Sequence, residues 1–104
     1  MKARVAGLAA VANLAVAISA AGCGGTLYSI QMNGVASKVA EAKELGAEKL
    51  APYEYYYANE HLQKAMSEAA EGDYSDAIQF ADVAEEYAIK AIQLSKEAHR
   101  GAGR

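Results

Sequence analysis

The sequence predicts an all-α protein built as a three-helix, alanine-rich antiparallel bundle. Three observations carry that expectation. Of the 104 residues, 25 are Ala, the strongest helix former, and there is one Phe and no Trp. Small and apolar residues recur in steps of four and three over three separate stretches. Gly, Pro and Asp fall between those stretches at positions that suit helix ends. A β protein would carry more β-branched residues and more turn signals. The length allows one small domain.

The chain opens with a segment of different character. Lys2 and Arg4 precede an uncharged, mostly apolar run from Val5 to Ile18, followed by small residues up to Cys23. This is the layout of a secretory signal peptide with a helical apolar region, covering residues 1–22. Cleavage is expected between Gly22 and Cys23. The stretch Ala20-Ala21-Gly22-Cys23 resembles a bacterial lipobox, in which the Cys thiol receives diacylglycerol and becomes the new N-terminus. Ala20 stands where that motif prefers Leu. Three other readings stay open for the segment: an uncleaved membrane anchor, plain secretion, and a cytosolic helix. No charge occurs between Arg4 and Lys38, which is long enough for a span, but Ala and three Gly residues insert poorly. A reactive thiol is disfavoured, because no cation lies near Cys23 in sequence to lower its pKa.

After cleavage the chain would run from Cys23 to Arg104, with eight cations against thirteen carboxylates and a net charge of −5. Charge alone would not hold such a body on anionic lipid, so acyl chains would have to anchor it. Gly24 follows the Cys, where an Asp retains lipoproteins at the inner membrane of well-studied diderm bacteria. Its absence points to the outer membrane, facing the periplasm. Residues 23–27 are expected to be the lipidated N-terminus and a linker.

The bundle is expected over residues 28–100. Its first helix runs from about Tyr28 to Leu45, with Tyr28, Met32, Val35, Val39, Ala42 and Gly46 on one stripe. Asn33-Gly34 weakens the first turns, and Gly46 suits the stop. Ala47 to Ala51 connects. Pro52 fits the first position of a second helix, Glu54 its first turn, and Gly72 its end. Its stripe is Ala58, Leu62, Ala65 and Ala69, with Tyr55 extending it. Asp73 is a good N-cap for the third helix, whose stripe is Ala77, Ala81, Ala84, Ala88, Ala91, Ser95 and Ala98. Lys96, His99 and Arg100 complement its C-terminal dipole, and residues 101–104 are expected to fray.

An alanine stripe lets helices approach closely but buries little area, so larger flanking groups must supply the rest. On the third helix these are Phe80, Tyr87 and Leu94 on one side and Ile78, Ile89 and Ile92 on the other. Either both flanks pack inside a closed bundle, or one stays open for a partner. Tyr53, Tyr55, Tyr56 and Tyr57 cannot all face one core, since consecutive helical residues point about 100° apart. They form either a collar joining the first two helices or an exposed aromatic patch. The candidate partner surface is therefore Tyr53, Tyr56, Tyr57, Phe80, Tyr87 and Leu94.

The turn Gly72-Asp73-Tyr74-Ser75-Asp76-Ala77-Ile78 resembles the inter-helix turn of a tetratricopeptide repeat, and Ala65 and Ala84 fit its small-residue positions. His61, Lys64 and Ile89 depart from that pattern. One unit of ~34 residues fits here, where three or more make a solenoid. The resemblance implies a single tetratricopeptide-like hairpin. More broadly, Cys23, the link Gly46 to Glu54, the residues Ala58, Leu62 and Ala65, the Gly72-Asp73-Tyr74 turn and the start Ala77-Ile78 resemble a family of small bacterial lipoproteins. Its domain is known as domain of unknown function 4398. That resemblance implies a helical, envelope-located domain without a known activity.

Catalytic sets are missing at the expected spacings. The positions three before His61 and His99 hold Ala58 and Lys96, not the Glu of a di-iron bundle. Ser95 stands four before His99, where a zinc protease would have a second His. The chain therefore reads as a non-catalytic structural or adaptor module. No cofactor, metal or nucleic acid is expected, the last because the net charge is negative. The expected partners are the membrane, through Cys23, and another envelope protein or a second copy.

Overall fold

A computed structural model describes residues 25–103. The expected signal peptide, its cleavage point at Gly22–Cys23, the lipidated Cys23 and Arg104 lie outside the described residues. All-α is the fold: there is no strand among the described residues. Four helices follow one another: α1 (residues 25–44), the single turn α2 (Ala47–Leu50), α3 (Pro52–Ala70) and α4 (Tyr74–Ala102).

Each boundary has a local cause. Gly46 closes α1 with φ at 85°, a left-handed conformation that costs a glycine little. Its N–H donates to the Lys43 carbonyl at 3.0 Å. The carbonyl of Gly46 then accepts from Lys49 and Leu50, which forms α2 inside the expected connection. Pro52 occupies the start of α3, where a missing N–H costs nothing. At the other end Gly72 takes φ 83°, and two bonds tie off the last carbonyls: Gly72 N–H to Ala69 and Asp73 N–H to Glu68. Together they make a Schellman motif. Asp73 caps α4 as expected, its carboxylate accepting from the Asp76 N–H at 3.1 Å.

Three details differ from the sequence reading. Residues 25–27, expected as linker, are already helical. Asn33-Gly34 does not interrupt α1, because the helix is held by packing rather than by propensity. At the C-terminus α4 continues through Gly101 to Ala102, with Gly103 as its cap.

Helices α1 and α4 run parallel. Successive contacts pair Gln31 with Asp82, Lys38 with Glu85, Glu41 with Lys96, and Leu45 with His99. Helix α3 runs antiparallel to α4, with Tyr57 beside Tyr87 and His61 beside Phe80. The result is an up-down-up bundle closed on one seam. From α4, Ala77, Ala81, Ala84, Ala88, Ala91 and Ser95 are completely buried. Val35, Val39 and Ala42 meet this core from α1, and Ala58, Leu62 and Ala65 from α3. The largest fully buried side chains are only Val35 and Ser95. The core is therefore thin, and close backbone approach replaces bulk. Ser95 Oγ has no hydrogen-bond partner, a cost of about 1–3 kcal/mol that alanine at this position would not carry.

Candidate partner surface

The groove between α3 and α4 is floored by aromatic rings. Tyr53 and Tyr57 are one helical turn apart and stack at 5.6 Å. Tyr87 reaches across from α4, 4.2 Å from Tyr57 and edge-on to Tyr53 at 6.1 Å. His61 stacks on the other side of Tyr57 at 4.2 Å, and Phe80 lies 6.1 Å beyond it. The series Tyr53, Tyr57, Tyr87, His61, Phe80 thus runs along the groove. Offset and edge-on rings at such spacings are attractive beyond their buried area.

Cations cover parts of the series. Lys90 Nζ sits 4.5 Å over the Tyr87 ring and Lys64 Nζ 5.3 Å over Phe80. The Lys90 ammonium also bonds Glu86 at 2.9 Å, which raises its pKa. His61 Nδ1 lies 2.9 Å from the Tyr57 carbonyl. A carbonyl only accepts, so Nδ1 carries the proton and Nε2 is left for other partners. His61 and Phe80 line an open cleft of about 290 Å³ with Asp76, Gln79 and Val83.

Of the two arrangements the sequence left open, a collar between the first two helices is not what Tyr53 and Tyr57 form. Tyr53 and Tyr57 join α3 to α4, because the position of Tyr87 completes their face. Edge-on to Tyr56, Tyr55 turns the other way. It is buried, and burial pushes its phenol pKa up, with the nearby Glu48 carboxylate adding to the rise. Tyr28 shows the same direction from burial and from Tyr74, whose ring centre is 5.8 Å away.

Of the six candidate residues, Tyr53, Tyr57, Phe80 and Tyr87 come together. Tyr56 stands outside the series, edge-on to Tyr55 at 5.2 Å. Leu94 lies two turns beyond Tyr87 on α4 and is 40% exposed. Solvent reaches the patch chiefly at Tyr53, 64% exposed, and Tyr56, 51% exposed. His61, Lys64 and Lys90 belong to the patch but are not among the six residues proposed for it from the sequence. Their positions four residues from Tyr57, three residues from His61 and three from Tyr87 were the signal available. Elsewhere, Glu68, Asp73 and Asp76 bring carboxylate oxygens within 4.8 Å of one another at the α3–α4 turn. Asp73 is already engaged there as the cap of α4.

A family model for a domain of unknown function, DUF4398, matches residues 31–101. The chain belongs to that family. The match spans the described bundle from the second visible turn of α1 to the last turn of α4. It includes the Gly46 and Gly72 turns and every residue of the aromatic series. Neither the curated proteins nor the solved structures gave a match.

Proposed function

We propose that this protein is a lipid-anchored module of the bacterial cell envelope, held at the outer membrane through Cys23 and acting as a non-catalytic structural or adaptor domain. The observation that carries the reading is the sequence Ala20-Ala21-Gly22-Cys23 placed just ahead of the bundle, behind a basic start and an apolar run. Two acyl chains or more would make such anchoring nearly permanent. No helix among the described residues is long and apolar enough to cross a membrane. The domain itself offers a surface rather than a reaction. Tyr53 and Tyr56 present large area with polar tips, and Tyr57 and Tyr87 hold Tyr53 in place from beneath. Such a patch suits contact with another envelope protein.

The test is the intact mass of the protein extracted from its own cells, beside a Cys23→Ala variant. The expected mass is that of Cys23 to Arg104 plus diacylglycerol and acyl chains, with the lipid lost in the variant. A chain that keeps residues 1–22 and carries no lipid sinks the reading.

A further inference from the structure

We infer that the first two turns of α1 form a membrane-contacting tip, in which Leu27 and Ile30 enter the headgroup–acyl boundary of a zwitterionic bilayer. The inference rests on the proposed lipidation of Cys23 and specifies how the domain would sit. Leu27 and Ile30 are 62% and 67% exposed, more than the other large aliphatic side chains that stand clear of the core. Three positions apart on a helix, they share one face. Tyr28 points the other way, its hydroxyl 3.5 Å from the Ala65 carbonyl and its ring against Tyr74. So the bundle cannot cover Leu27 and Ile30 without turning α1 over.

The reach of the chain selects the occupant. Cys23 is two residues before Gly25, where α1 is already helical, so the tether is at most about 7 Å. Leu27 is about 3 Å and Ile30 about 7.5 Å further along the helix axis. The interfacial layer of a bilayer is roughly 5–8 Å thick on each side. A lipidated Cys23 therefore keeps Leu27 within about 10 Å and Ile30 within about 15 Å of the anchor, so that α1 lying along the interface places both at the boundary. These turns themselves carry no charge, since the first ionisable residue after Cys23, apart from Tyr28, is Lys38. The carboxylate that comes next to them is Asp82 of α4, bonded to Gln31.

Charge also selects the kind of lipid. Tyr74 lies at this end of the bundle, against Gly25 and Tyr28. Just before and after it come Asp73 and Asp76, clustered with Glu68. Three carboxylates beside the tip are repelled by anionic headgroups and indifferent to zwitterionic ones.

The experiment uses the lipidated protein reconstituted into vesicles of phosphatidylcholine and phosphatidylethanolamine. Thiol-reactive fluorophores are placed at Leu27→Cys, Ile30→Cys and, as a distant exposed control, Gln93→Cys. Lipid carrying a spin label high on its acyl chain is the quencher, and intact mass verifies the anchor in each sample. The expected result is a blue shift and about twofold quenching at positions 27 and 30, as for a side chain at the boundary, with neither at 93. Unquenched labels at 27 and 30 on a protein whose mass includes the lipid overturn the tip and leave the anchor standing. A mass without lipid overturns both. A blue shift without lipid quenching assigns the face to a second copy and overturns the tip. Quenching that grows when phosphatidylglycerol is added overturns the zwitterionic preference.

Discussion

Helix α4 meets its two neighbours by different means. Against α3 it presents rings: Tyr87 and Phe80 interleave with Tyr53, Tyr57 and His61 over the alanine seam. Against α1 the apolar part is narrow, Val35, Val39 and Ala42, and a polar rim flanks it. That rim consists of Gln31–Asp82, Lys38–Glu85, Glu41–Lys96 and the bond from His99 to Leu45. Exposed pairs of this kind contribute about 0–1 kcal/mol each and weaken with salt. Aromatic burial is worth more and is insensitive to salt. The α3–α4 hairpin is therefore the stable unit, and α1 is the helix of the bundle that opens first. That order also fits the proposed arrangement, since α1 is the helix that the membrane would hold.

The largest effect should come from the hairpin itself. Leu62 is the one long aliphatic side chain that α3 buries. Leu62→Ala should cost about 2–5 kcal/mol, a large share of the stability of a domain this small. Urea unfolding should show one transition at a much lower midpoint, with α1 and the hairpin lost together. If α1 alone melted, the hairpin would not be the foundation.

Alkaline pH should act next, because it ionises the two buried tyrosines at the contacts of α1 and α2 with the hairpin. The folded protein holds the Tyr28 and Tyr55 phenols above their ordinary pKa of 10.0, chiefly by burial. The neutral forms are the ones the fold favours. Their contribution is therefore intact below pH 10 and is lost as pH rises through the folded values. Tyrosinate absorbance and helical circular dichroism followed together should show late ionisation of two tyrosines coincident with loss of helix. Ionisation of all seven at the ordinary value, with helix retained, would contradict their burial.

The smallest effect should be confined to α1. His99 Nε2 donates to the Leu45 carbonyl at 2.7 Å and so satisfies one of the acceptors that the end of α1 leaves open. His99→Ala should cost about 1 kcal/mol. Hydrogen exchange should speed up over residues 38–45 and remain unchanged in α3 and α4. Uniform acceleration along the chain would mean that α1 and the hairpin unfold as one unit.

The helices were legible because their signals are local. Periodicity placed Val35, Val39 and Ala42 on one stripe, and the same stripe is buried. Gly46, Pro52, Gly72 and Asp73 were readable as boundaries, since their backbone conformations or missing donors act within a few residues. The use of His99 was not legible. Its position at the end of α4 suggested a partner in its own helix dipole, but the carbonyl it meets belongs to a residue 54 positions earlier.

The sequence by itself determined the all-α class, the extents of the helices to within a few residues, the alanine seam and the lipobox-like Cys23. Those features depend on periodicity, backbone conformation and motif, which neighbours in the chain specify. Only the tertiary structure decided which helix each tyrosine joins, that α1 and α4 run parallel, and that Leu27 and Ile30 stay uncovered. Those outcomes depend on the relative rotation of helices about their axes. Small alanine side chains constrain that rotation through distance alone, so it is set by where the few large rings and charges find one another across the seam.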